Sequence, residues 1–240
     1  MEASLDMKHT LLAAAVSAML PLSALAADGI TADSVTFGQV AAFDGPAAAL
    51  GNGMNDGIEA AFAEANAAGG VHGRMLKLVS EDDGYEPDRS IAAVNGMLGS
   101  GGIFGLIGPV GTPTSKATQP IATEAGVPFI GPFTGAGFLR DAALTNVANV
   151  RATYAAETEA WIKYLVDEQG LQNIAILYQD DGFGRVGLSG VNAALEKRGM
   201  SLAAEGTYTR NTTAVKSALI QIRKAKPDAA IRNLIQSSRS

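Results

Sequence analysis

Ile103-Phe104-Gly105-Leu106-Ile107, then Gly108-Pro109-Val110-Gly111-Thr112-Pro113-Thr114-Ser115, then a run carrying Ala117, Ile121 and Ala125 that Gly126 ends: in direct succession these read as a buried strand, a turn and a helix. Val127 to Gly131 follows as the next strand. Strand, helix, strand without a hairpin turn is the unit of a parallel sheet. Upstream the same order holds. Val35 to Ala42 is β-rich. Asn52 to Ala68 sets Met54, Ile58, Ala61, Phe62 and Ala65 on one helical face before Gly69-Gly70. Met75 to Val79 is a strand, and Pro87-Asp88 opens a helix with Ile91, Val94 and Leu98. Downstream, Asn146 to Val150 is another strand.

From there the pattern restarts. Ala155 to Gln169 reads as a helix with Trp161 and Leu165 inward, and Asn173 to Tyr178 as a strand. Phe183 to Arg198 is a helix closed by Gly199, Leu202 to Tyr208 a strand, Thr213 to Lys226 a helix, and Asp228 to Ile231 starts a strand. Regular alternation with apolar strands predicts an α/β fold, a doubly wound parallel sheet with helices on both faces. The restart predicts a division near Val150. Sheets of this kind bind ligands beyond the carboxyl ends of their strands. The loops expected to carry function are therefore 43–50, 82–87, 108–115, 132–138 and 179–183.

The ends of the chain bear on location. Lys8 and His9 precede an apolar run, Leu11 to Leu25, that closes in Ala24-Leu25-Ala26. That is the layout of a secretory signal peptide, expected over residues 1–26, and places the remainder outside the cytoplasm. Beyond it stand 17 Lys/Arg against 22 Asp/Glu, a charge of −5, which argues against nucleic acid or an anionic membrane as partner. Cysteine is absent, and His72 is the one histidine past the leader, so most zinc and thiol chemistry is excluded. No second long apolar run follows, so no membrane insertion is expected after cleavage. Asn211-Thr212-Thr213 matches a glycosylation sequon, a pattern short enough to arise by chance.

Three motifs invite chemistry. Gly182-Phe183-Gly184-Arg185-Val186-Gly187 spells G-x-G-x-x-G, but a dinucleotide site needs its first glycine directly after the strand. Gln179-Asp180-Asp181 intervene, and two carboxylates would repel a pyrophosphate. Asp82-Asp83 and Asp180-Asp181 are adjacent pairs whose members point apart at a strand end, so solvated or helix-capping carboxylates are expected. The turn 108–115 is richer. Free N–H groups at a helix start, with the hydroxyls of Thr112, Thr114 and Ser115, suit a carboxylate, while Thr114 or Ser115 can also cap the helix. No nucleophile–base constellation accompanies them, no cofactor or metal is implied, and the chain is not expected to be an enzyme.

Several segments resemble a known family. Asp44-Gly45-Pro46 with Leu50-Gly51, Asn66-Ala67-Ala68-Gly69-Gly70-Val71-His72-Gly73, Glu81-Asp82-Asp83-Gly84-Tyr85-Glu86-Pro87 and Tyr178-Gln179-Asp180-Asp181-Gly182-Phe183-Gly184 look like the type I periplasmic solute-binding proteins, in particular the branched-chain amino-acid (Leu/Ile/Val) binding proteins of ABC transporters. The resemblance runs from about Ile30 to Ala230. It implies two flavodoxin-like lobes closing on a ligand, with residues 27–150 as the first and 151–231 as a partial second. It also implies an ABC permease as partner and an amino acid or similar small carboxylated compound as ligand. By position, Thr112 beside Gly111 would bind the carboxylate. Phe133, Thr134 and Gly135 would form a second loop, Leu50 would cover the ligand, and Tyr154 and Phe183 would wall the cleft. Glu157 would meet an ammonium or lie in a helix stripe. Some relatives pair cysteines near positions 85 and 111, where Tyr85 and Gly111 stand. Residues 232–240 do not look like the family, so a chain truncated within its second lobe is expected. A ligand-sensing module of a receptor, or a non-functional fragment, would share these features.

Overall fold

The computed structural model describes residues 28–233, so the expected leader and the tail beyond 233 lie outside the described residues. Two parallel sheets divide the chain. The first takes β1 (Ser34–Ala41), β2 (Met75–Asp82), β3 (Gly105–Ile107), β4 (Phe129–Ile130) and β5 (Val147–Ala148), in the order β2-β1-β3-β4-β5. The second takes β6 (Ile174–Gln179), β7 (Ala204–Tyr208) and β8 (Ala229–Asn233), in the order β7-β6-β8. Between them run α1 (Ala48–Ala67), α2 (Pro87–Gly99), α3 (Thr112–Glu124), α4 (Tyr154–Ile162), α5 (Gly182–Glu196) and α6 (Lys216–Lys224).

The central strand β6 shows why the alternation forces layers. Every residue from Ile174 to Gln179 is buried. Ile174, Ile176 and Tyr178 point to one face and pack with Ile162, Val191 and Leu195. Ala175 and Leu177 point to the other and meet Ala218 and Ile222 of α6. A period of two on a strand covered from both sides demands apolar residues throughout. Each fully buried Ile or Leu contributes about 1.5–3 kcal/mol. In the first sheet Leu106 and Phe129 play this part against Val94, Met97 and Leu139.

One expectation is corrected. Trp161 does not face inward; it is 39 % exposed. The inner face of α4 is set by Tyr154, Thr158 and Ile162, all buried and spaced four apart. Trp161 stands one residue out of that phase. The chain then widens into a π-helical turn, Lys163–Glu168. At the other end, the strand expected to start over 228–231 is β8, and it continues through Asn233 in register with Tyr178.

Candidate functional site

Because every strand is parallel, the strand-to-helix connections of each sheet lie at that sheet's carboxyl edge. A cavity of about 310 Å³ opens there. Leu50 and Phe183 reach it from the first turns of α1 and α5, and Tyr85, Gly111 and Phe133 from the segments that follow β2, β3 and β4. Of the nine residues singled out in the sequence, Leu50, Gly111, Thr112, Phe133, Tyr154, Glu157 and Phe183 line it. Thr134 and Gly135 do not. Thr134 is wholly buried behind Thr112, their hydroxyl oxygens 2.7 Å apart, and its hydroxyl donates to Tyr154 Oη at 3.3 Å. Gly135 packs against Tyr154 and borders a second, larger cavity of about 550 Å³ between α3 and α5. That larger space shares only Thr112 and Gly135 with the expected residues and has one ring, Phe138, where the smaller one has five.

The corner at α3 is built by a glycine. Gly111 has φ +109°, and a Cβ there would lie 2.2 Å from Tyr85 Cε2. Only glycine lets the Tyr85 ring close onto this turn. The contact joins the two loops near the positions where the resemblance gives some relatives a cysteine pair and this chain none. Tyr85 is 1 % exposed, and burial, with the charge of Asp181, pushes its hydroxyl well above the usual tyrosine value. The expected caps are absent: no side chain caps α3. Thr114 Oγ1 instead donates to Val110 O at 2.6 Å, and Ser115 Oγ is buried without a partner among the described residues. Of the first turn, Pro113 has no N–H and Ser115 N–H donates to Gly111 O at 3.1 Å, so Thr112, which lines the cavity, is the helix-start residue open to it.

Arg151 was not foreseen. It sits between β5 and α4, and its guanidinium lies 5.2 Å from the Phe133 ring centroid and 5.4 Å from that of Tyr154. Nε and Nη2 donate to Glu157 Oε1 at 3.1 and 2.5 Å. Glu157, read from the sequence as meeting an ammonium or lying in a helix stripe, is paired with Arg151. Arg140 ties the region together by donating to the carbonyls of Thr134, Ala136 and Arg151. Burial, then the nearby charge of Arg151, lowers the Arg140 pKa. Arg232 and Asn233 also line the cavity, although the sequence reading left them outside the family-like text.

The G-x-G-x-x-G motif is a packing device. A Cβ on Gly184 would lie 1.8 Å from Gln179 O, and one on Gly187 would lie 1.6 Å from Asn233 Nδ2. These glycines press α5 onto β6 and β8. Asp181 caps α5, accepting from the N–H of Phe183 at 2.9 Å, and Asp180 pairs with Arg185. Asp83, expected to be solvated or capping, is fully buried; burial raises its pKa although Ser90 Oγ and Tyr85 N–H donate to it. A polar bridge joins the segment after β7 to the segment before α2. Arg210 donates to Glu86 at 2.7 Å and Asp181 at 3.2 Å, and Asn211 Nδ2 donates to Gly84 O at 2.9 Å and Glu86 Oε1 at 2.7 Å. The amide of the sequon is therefore engaged. His72 is exposed in a turn, as expected.

The family described as "Periplasmic binding protein" matches residues 34–238. The chain belongs to the periplasmic binding protein family. The match extends beyond Ala230, where the resemblance read from the sequence ended. Among curated relatives, Leu/Ile/Val-binding protein BraC3 of Rhizobium johnstonii is 26% identical over 81% of this chain and 53% of its own length. Leu/Ile/Val-binding protein homolog 2 of Brucella abortus is 33% identical over 68% of this chain and 44% of its own. A solved structure, a possible leucine/isoleucine/valine-binding protein from Rhodopirellula baltica SH 1, superposes with TM-score 0.78 at 36% identity, covering 87% of this chain and 57% of that one. The chain spans about half the length of the curated relatives it matches. These relatives are named as binding proteins, in agreement with the expectation that the chain is not an enzyme. No helix among the described residues is long and apolar enough to cross a membrane.

Proposed function

We propose that this chain is the extracytoplasmic solute receptor of an ABC importer, binding an amino acid or similar small carboxylated compound between lobes 27–150 and 151–231. One observation carries the reading: loops from both sheets of a periplasmic binding protein converge on a single cavity of small-molecule size. In it, Thr112 and the start of α3 receive the carboxylate. Leu50, Phe133, Tyr154 and Phe183 enclose the ligand body, while Thr134 and Gly135 hold the wall from behind. The polar bridge from Arg210 and Asn211 to Glu86 holds the two halves together, and the closed form presents its outer surface to the permease.

Titration calorimetry of the 240-residue chain against amino acids and small carboxylates tests this. Saturable one-to-one binding that weakens about tenfold in Thr112→Val is expected. A folded protein that binds none of them refutes the proposal.

A further inference from the structure

The cavity wall carries a cation whose donors are only half used. A guanidinium offers five N–H groups arranged as two forks. In Arg151 the Nε–Nη2 fork is spent on a single oxygen of Glu157. Nη1 makes no hydrogen bond among the described residues, so the Nη1–Nη2 fork is open on a side chain that lines the cavity and is only 30 % exposed. The rings of Phe133 and Tyr154 flank the guanidinium, and Glu157 fixes its plane. The group is thus held in place before any ligand arrives.

The charges on the wall point the same way. Arg151 and the exposed Arg232 stand against Glu157 alone, so the lining carries one net positive charge. A ligand with one carboxylate and no ammonium would cancel it. A zwitterion would leave it uncancelled and would bring its ammonium to a carboxylate already paired with Arg151. Rings dominate the rest of the wall. Tyr85, Phe133, Tyr154, Trp161 and Phe183 supply five of the fourteen aromatic side chains in the sequence. Tyr154 and Phe183 meet edge to face at 5.7 Å. Flat apolar surfaces of this kind suit a ring on the ligand.

We infer that the cleft selects an aryl-bearing carboxylate lacking an ammonium group, with Arg151 as second anchor of the carboxylate and Glu157 as the residue that positions it. This rests on the proposed role of the cavity as the binding site and narrows its ligand. The exchange is non-covalent: the anion gives up water for two charge-assisted hydrogen bonds to Nη1 and Nη2.

Matched pairs test it. Calorimetry compares 3-phenylpropanoate with phenylalanine, and 4-methylpentanoate with leucine, on the 240-residue chain; within each pair only the ammonium differs. The expected order places 3-phenylpropanoate tightest and each deaminated acid at least about tenfold tighter than its amino acid. Arg151→Gln weakens 3-phenylpropanoate on the order of a hundredfold, because both the ligand anion and Glu157 lose their partner. Arg151→Lys, which keeps the charge without the fork, recovers part of that loss. Circular dichroism shows whether each variant is folded. Phenylalanine or leucine binding as tightly as its deaminated partner, or a folded Arg151→Gln or Arg151→Lys with unchanged affinity, overturns the inference and leaves the cleft as the site. Binding of none of the four compounds to the folded parent overturns both.

Discussion

Two turns lead from a strand into a helix, one before α3 and one before α5, and they treat the helix start in opposite ways. Before α5, Asp181 folds back and accepts the first N–H groups. The positive end of that helix is satisfied by its own chain. Before α3 the residue in the capping position is Gly111, which has no side chain to offer, and Thr114 turns its hydroxyl to Val110 instead. The turn that spells the better-known glycine motif is therefore the closed one. The turn without a side-chain cap is the one whose Thr114 hydroxyl is diverted to Val110. Glycines alone do not mark a phosphate or carboxylate site; what decides is whether the protein supplies its own carboxylate.

The largest effect expected is common to both turns. Gly111→Ala and Gly184→Ala each put a Cβ where no atom fits, 2.2 Å from Tyr85 and 1.8 Å from Gln179 O. Each should cost on the order of 3 kcal/mol or more in thermal or urea unfolding. A mild loss at either would mean that the turn yields. Next come substitutions that should part the two turns. Asp181→Ala loses the cap and one partner of Arg210, about 1–2 kcal/mol of stability. Thr112→Val should cost about 1 kcal/mol and also weaken ligand binding about tenfold. Equal effects of the two on affinity, measured by calorimetry at matched folded fraction, would erase the distinction.

Asp83→Asn probes an acid that accepts from its own turn, at Tyr85 N–H, but is buried rather than capping a helix. Burial raises the Asp83 pKa, so its contribution to stability is full below the ordinary value of 3.8 and is lost as pH rises through its folded value. Asparagine should therefore raise stability more at pH 7 than at pH 4, by about 1 kcal/mol at most, in melts at the two pH values. The smallest effect belongs to the polar bridge. Burial would raise the Glu86 pKa, but Arg210 and Asn211 hold it below the ordinary value of 4.5. Its stabilisation is thus present above 4.5 and is lost as pH falls through the lower folded value. Glu86→Gln should cost about half a kcal/mol and weaken binding two- to threefold, since the pair is partly exposed.

The periodicity of the chain was enough to read the sheets, because strands buried on both faces cannot hide their apolar runs. It was also enough to place function at the strand ends, and Leu50, Thr112, Phe133 and Phe183 do stand together there. Arg151 escaped because a single arginine at a boundary carries no pattern; its meaning lies in two rings and a carboxylate gathered by the fold. Tyr85 was legible only as a letter of a family motif, not as the lid on Gly111. Trp161 was misplaced because one residue of helical phase separates it from Ile162, and composition cannot resolve that step.

Trp161 is the sole indole of the 240-residue sequence, and it stands where the cavity meets the outer face of α4. Its emission therefore comes from one place. Any solute that displaces water from that wall should shift its colour or intensity, with no competing indole to dilute the signal. The molecule carries a built-in optical gauge of its own cleft, readable without a label.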